Sequence, residues 1–350
     1  MRNSVFASFV IGGTLLHTTA AGQRSSCEAC FSLSPVVTLS SSVGPIVPSS
    51  AQSIVRTTDG RWLVSHLMAG PAQFLEYDPA GRFLGVLGKT GSGPGELASP
   101  PILYSGPGRT IWAIDRRQVI RFDERLNHIA SKPLASASPA VGAVMLRAGL
   151  VMRGRLRDAD GHTYALLLYD TAGTLVKKLE RQSDEVFVSS AIGPALKGGF
   201  WVLRLNDVVL RRYSDEGELQ ETFRLHIDHF QPWRGKASQR GLEGFDFPPR
   251  PAHIAVVDLG SNRLAVLTRV ASRDWKPSGG VIRPDDADLD RQFDTQVALL
   301  DLRTGRTLAT RTFPQALLGI QGTSDYFYTT ASDQFGDILT TVFQLHVRER

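Results

Sequence analysis

Residues 61–87 read Arg61-Trp62-Leu63-Val64-Ser65-His66-Leu67-Met68-Ala69-Gly70-Pro71-Ala72-Gln73-Phe74-Leu75-Glu76-Tyr77-Asp78-Pro79-Ala80-Gly81-Arg82-Phe83-Leu84-Gly85-Val86-Leu87. Three short runs rich in aromatic and branched residues are separated by Gly, Pro and Asp, which is the pattern of strands joined by turns. Asp78-Pro79-Ala80-Gly81, and Thr58-Asp59-Gly60 just upstream, are apt hairpin connectors, because Gly takes positive φ freely and Asp caps its own turn. The phrase then recurs. Arg109-Thr110-Ile111-Trp112-Ala113-Ile114-Asp115 repeats the Trp-bearing strand, and Val119-Ile120-Arg121-Phe122-Asp123 repeats the aromatic-Asp ending. Later copies are Ala165 to Gly173, Leu210 to Gly217 and, in degenerate form, Ala298 to Gly305. The Tyr/Phe landmarks fall at 77, 122, 169 and 213, a spacing of roughly 45 that suits one four-stranded propeller blade.

A lone four-stranded antiparallel sheet cannot bury both faces, whereas sheets stacked radially bury each against its neighbours. No helical pattern alternates with the strands after residue 35, so a parallel α/β fold is excluded. The expected architecture is an all-β, six-bladed β-propeller of four-stranded antiparallel blades, at about 51–98, 99–138, 139–187, 188–228, 250–313 and 314–350. The strand Val36-Val37-Thr38-Leu39 is then left to complete the last blade as its outer strand, closing the ring and removing an open edge.

Composition agrees. The chain has 350 residues, 42% hydrophobic and 21% charged, with 33 Gly, 19 Pro and a net charge of +5. That is ample for a buried core and unlike a disordered chain or a coiled coil. The positive charge is scattered, with no Lys/Arg run, so nucleic acid is not an expected partner. Two Cys exclude a disulfide-stapled mini-domain and a Cys-built zinc or iron–sulfur site.

The N-terminus reads as a secretory leader over 1–22. Arg2 is its basic start, Val5 to Leu16 its apolar stretch, and small residues near Ala21 and Gly22 its cleavage region. Gly12, Gly13 and Thr14 interrupt a run already shorter than the ~20 residues that span a bilayer. A secreted or periplasmic protein with no transmembrane segment after leader removal is expected, as a monomer. Cys27-Glu28-Ala29-Cys30 follows the leader. Phe31 stands where haem attachment needs His, and no βαβ unit supports a redox site. A local Cys27–Cys30 disulfide formed after export is the favoured reading. The layout is leader 1–22, an N-terminal segment 23–50 with the cysteines and closing strand, and a propeller over 51–350.

The stretch Gly81-Arg82-Phe83-Leu84-Gly85-Val86-Leu87-Gly88-Lys89-Thr90-Gly91-Ser92-Gly93-Pro94-Gly95-Glu96-Leu97 resembles the blade end of bacterial six-bladed β-propeller proteins with NHL-like repeats. Their phrase runs G-x-F-x-x-x-x-G-x-x-G-x-G-P-G-E-F, with Leu97 here in place of the final Phe. Pro100-Pro101-Ile102 and Gly106-Pro107-Gly108 before the Trp112 strand also match, and Cys27, Cys30 and Leu33 to Leu39 look like the start of secreted members. The likeness is sharp over about 27–125 and architectural beyond. It implies a propeller fold and an extracytoplasmic setting.

Several motifs fail as sites. Gly88-Lys89-Thr90 lacks the phosphate-loop Gly five residues earlier, where Phe83 stands, and Pro94 obstructs a following helix. Asp286-Ala287-Asp288-Leu289-Asp290 would need Gly and Glu at EF-hand positions where Arg291 and Val297 stand. It reads as a solvated acidic loop, with an irregular calcium site as the alternative, and no cofactor is expected. His226 and His229 lie three apart, on opposite faces of a strand. No catalytic constellation is evident.

One pattern points to binding. The ends of the second strands carry His66, Asp115 with Arg116 and Arg117, Arg153 and Arg155, Arg204 with Asn206, Arg269, and Asp333. If these ends face one channel mouth, the recurrent Arg makes it electropositive and suited to carboxylate, phosphate or sulfate. Pairing of those Arg with nearby acids is the equal alternative. The segments 229–251 and 271–294 interrupt the fifth unit. They carry Trp233, Phe245, Phe247 and Trp275 among Arg234, Arg240 and Arg250, and read as a recognition lid or as inert cover. The expected function is an extracytoplasmic binding or interaction module for an anionic small molecule or a protein partner. The alternative is a lactonase-like hydrolase or a lyase with a channel-bound metal.

Overall fold

The computed structural model describes residues 30–40, 51–66, 72–106, 108–115, 117–134, 138–182, 190–227, 230–233, 248–276, 292–320 and 325–348. They form six four-stranded antiparallel sheets arranged as the blades of a propeller. The blades in chain order begin on Ala51–Arg56, Ile102–Gly106, Ser138–Leu146, Ser190–Pro194, Ala252–Gly260 and Leu318–Gly319. These first strands neighbour one another around the axis. Each blade then steps outward by hairpins. The sixth takes Tyr326–Ser332 and Ile338–Val347 from the C-terminus and its outer strand, Phe31–Ser40, from the other end of the chain. The closing strand expected at Val36–Leu39 is thus present and longer, pairing from Phe31↔Val347 to Ser40↔Leu339.

The core is partitioned by the ring. Among the described residues there are six apolar clusters, one for each seam between adjacent blades. The period-two alternation of strands explains this. In the second strand of the first blade, Trp62 and Val64 face the sixth blade while Leu63 faces the second. The seam between the last and first blades is as apolar as the rest, with Leu39, Ile54, Trp62 and Tyr328 all nearly inaccessible. Tyr328 also donates its hydroxyl to the Ala51 carbonyl across that seam at 3.2 Å.

The aromatic-Asp repeat has a local cause. In the turn after the third strand, Asp78 Oδ1 accepts the N–H groups of Ala80 and Arg82, both at 2.9 Å. Asp170 does the same for Ala172 and Thr174 at 2.9 and 2.8 Å, and Ser214 substitutes for it in the fourth blade. These bonds, that from Arg82 foremost, hold the Asp78 carboxyl below its ordinary pKa. The preceding Tyr77, Phe122, Tyr169 and Tyr213 point inward and are buried. The glycine-rich loop at 91–97 is likewise structural. Glu96 folds back to accept the Gly93 N–H at 2.8 Å, and a Cβ at Gly91 would collide with the same carboxylate. Among the described residues no helix is long and apolar enough to cross a membrane. The expected leader 1–22, Cys27 and the acidic stretch 286–290 lie outside the described residues, and with Cys27 so does the expected disulfide.

Candidate anion site in the central channel

The second strand of every blade runs back to the end at which its first strand begins, so the positions singled out above share one mouth. Their side chains do not share one site. Asp115 is buried and organises its own loop, accepting the N–H groups of Ala98, Arg117 and Gln118 at 2.8, 2.7 and 2.8 Å. Asp333 caps the corresponding turn of the sixth blade through the N–H groups of Phe335 and Asp337. Both act as the Asp residues of the repeat act. Arg117 is exposed, with its carbonyl taken by Leu134 N–H. Arg155 is exposed at a strand end. His66 is buried, and Arg116 lies outside the described residues.

Arg204 turns away from the channel. Its guanidinium meets Glu180 of the third blade with Nη2 at 3.0 Å and Nε at 3.2 Å. The same carboxylate takes Arg211 at 3.4 Å and the Tyr213 hydroxyl at 2.6 Å. Sequence reading left ligand contact and acid pairing open for Arg204, and the structure realises the second. Asn206 is an anchor: its Nδ2 donates to the Trp233 carbonyl at 2.8 Å and its carbonyl accepts Trp233 N–H. Trp233 Nε1 in turn donates to Pro251 at 2.8 Å, and Arg250 lies over the indole. The base of the 229–251 insertion is therefore tied down, while Arg234, Arg240, Phe245 and Phe247 lie outside the described residues. Of the histidine pair, His226 is exposed with its backbone bonded to Gly305, and His229 lies outside.

Arg153 and Arg269 remain, and the structure brings them to one cavity. It occupies about 370 Å³ and is bounded mainly by the first strands of the third to sixth blades. Arg153 comes from the second strand of the third blade, Gly149–Arg157, and Arg269 from that of the fifth, Arg263–Ala271. Arg153 reaches its place because the facing strand carries Gly142, at φ +124°. A Cβ there would lie 2.2 Å from Arg153 Nε, so only glycine leaves room for the guanidinium. Its Nη1 donates to the Ser190 carbonyl at 3.2 Å. Arg269 lies over the Phe293 ring at 4.9 Å.

Each side chain is half-buried overall, yet each Nε is sealed from solvent without a hydrogen-bond partner. Among the described residues no carboxylate pairs with either. Burial pushes both guanidinium pKa values down, with the Tyr104 hydroxyl acting against this at Arg153 and that of Tyr328 at Arg269. Guanidinium stays charged regardless, so two cations stand in this wall with no acid against them among the described residues. Other arginines meet acids, Arg61 with Glu76, Arg212 with Glu221 and Arg204 with Glu180, while Arg121, whose Nε is also sealed, lies over the Trp112 ring. Tyr104, Tyr328 and Gly142 were not found by sequence reading. A glycine inside the run Ser138–Leu146 was the available sign.

His253, on the innermost strand of the fifth blade, is structural. It is fully buried and stacked on Phe230. Nε2 lies 3.0 Å from the Asp207 carbonyl, which fixes it as the donor, and Nδ1 accepts from Thr268 Oγ1 at 2.9 Å. Burial drives its pKa down to about 3. Among the described residues no three His, Cys, Asp or Glu gather as a metal site.

No family model and no curated protein matches the chain. Solved structures do resemble it. One is a member of the DUF4221 family from Bacteroides vulgatus ATCC 8482, at a TM-score of 0.57 and 10% identity, covering 92% of this chain and 100% of that one. Another is a Bacteroides fragilis NCTC 9343 protein that carries the provisional name of an exported protein. It superposes at 0.54 and 13% identity over 93% of this chain and 97% of that one. The likeness is one of fold.

Proposed function

We propose that the protein is an extracytoplasmic β-propeller that binds an anionic ligand in its central channel, between Arg153 and Arg269. The observation that carries this reading is the pair of guanidinium groups lining one cavity with no carboxylate against them among the described residues. A buried cation without a partner is costly to the fold. A site that binds anions accepts that cost in the free protein and recovers it on binding. The extracytoplasmic setting rests on the leader-like residues 1–22 and is supported by the exported name of the Bacteroides fragilis protein.

Thermal denaturation with acetate, citrate, phosphate and sulfate tests the reading. A ligand present at about 100 times its Kd adds about 2.7 kcal/mol, a rise of roughly 4 °C for a domain of this size. The stabilisation is expected to vanish in Arg153→Met and Arg269→Met and to persist in Arg117→Met, whose side chain is exposed. Equal responses in all four proteins would refute the assignment.

A further inference from the structure

The channel walls also restrict what body carries the charge. Among the described residues lining the cavity, the only polar side chains are Arg153, Arg269 and Tyr328. Tyr328 already directs its hydroxyl at the Ala51 carbonyl. Between the arginines the surface is supplied by residues such as Ile192, Ile254, Val256, Leu318, Ile320 and Phe327. No Ser, Thr, Asn, Gln, Lys or His side chain of the described residues reaches it.

Such walls act as a filter. Phosphate and sulfate present three or four oxygens that each need donors, and sites for them gather hydroxyls and backbone N–H groups around the ion. Among the described side chains, only the two guanidinium forks answer that demand. A sugar acid would press its hydroxyls against Ile and Val and leave them unbonded, which costs affinity. A carboxylate differs, because its two oxygens lie in one plane and one guanidinium fork satisfies both. An apolar chain behind it gains from each methylene removed from water.

We propose that the channel ligand is a carboxylic acid with an apolar body, its carboxylate held by one of the two channel guanidinium groups, that of Arg153 or of Arg269, and its hydrocarbon part lying along the Ile, Val and Leu walls. This rests on the reading of the channel as an anion site and names the class of anion. A cavity of about 370 Å³ suits such a small molecule.

The test is calorimetric titration of the purified protein with butyrate, hexanoate, octanoate, octanamide, phosphate and sulfate. Affinity is expected to rise about fourfold per added methylene, the factor that about 0.8 kcal/mol per buried CH₂ gives. Octanoate is expected to bind, and octanamide, phosphate and sulfate to bind at least tenfold more weakly. Arg153→Met or Arg269→Met, whichever removes the fork on the carboxylate, should lower octanoate affinity at least tenfold, in variants shown to be folded by their circular dichroism and melting. Ile254→Asn should weaken octanoate more than butyrate. Phosphate or sulfate binding as tightly as octanoate with the same arginine dependence, or no gain with chain length, overturns the carboxylic-acid class and leaves the anion site standing. Octanoate binding that survives both arginine replacements, or is matched by octanamide, places the acid outside the channel and also overturns the class. No arginine-dependent binding of any probe defeats the anion site as well.

Discussion

Lowering the pH from 7 to 5 should destabilise the protein by an amount traceable to one side chain. His253 is sealed between Phe230, Thr268 and the Asp207 carbonyl, with a pKa of about 3. In the unfolded chain the same imidazole titrates near 6.5. Between these values the unfolded state binds a proton that the folded state refuses, so stability falls as pH falls. The contribution is fully present above pH 6.5 and is lost at about 1.4 kcal/mol per pH unit down to pH 3. At pH 5 the loss is about 2 kcal/mol. For roughly 300 ordered residues at about 2.1 cal/mol/K each, this lowers the Tm by about 3 °C. Carboxylates such as Asp78 and Asp301, held below their ordinary range in the folded state, withdraw their stabilisation at more acid pH, which leaves the window from 6.5 to 5 to histidine. The assay is urea unfolding at half-unit steps of pH on the protein and on His253→Gln. The variant should be less stable at pH 7 and should lose about 2 kcal/mol less than the parent by pH 5. Parallel curves would refute the reasoning.

Removing the carboxylate that joins the third and fourth blades, Glu180→Ala, strands Arg204, Arg211 and the Tyr213 hydroxyl. It should cost about 3 kcal/mol, near 5 °C in Tm, and a shift under 1 °C would show that the cluster contributes nothing. Arg153→Met and Arg269→Met should stabilise the ligand-free protein by about 1–2 kcal/mol, because each removes a cation that meets no acid among the described residues, whereas Arg204→Met should destabilise it. Calorimetry in ligand-free buffer separates these signs. Gly142→Ala adds a Cβ where the Arg153 guanidinium lies, so it should weaken anion binding at least tenfold with all charges retained. Titration of that variant at the parent's affinity would contradict the placement of Arg153.

The architecture was legible because each blade states its own plan locally. The aromatic-Asp ending recurs because an inward ring stands beside a residue, Asp78, Asp170 or Ser214, whose side-chain oxygen closes the outer turn. The closing strand was legible by subtraction, as an unpartnered apolar run at the opposite end of the chain from an incomplete blade. The site was legible in kind and not in detail. Arg153 and Arg204 occupy comparable strand ends in adjacent blades, and what divides them is distant. Glu180 stands 24 residues from Arg204 and claims it, while Gly142 leaves space that Arg153 fills. Asp115 and Asp333, which the sequence places at the channel mouth, use the same turn chemistry as Asp78. That reading was available from the sequence, since Asp before a tight connection caps it more often than it binds.

The most direct measurement is a crystal structure of the protein soaked with 8-bromooctanoate, with data collected at the bromine absorption edge. The account predicts one strong anomalous peak inside the cavity, against the wall formed by Ile192, Ile254 and Val256, with the carboxylate on the guanidinium group of Arg153 or of Arg269. Bromine found only on the outer surface, with the channel free of the acid at saturating concentration, would contradict it.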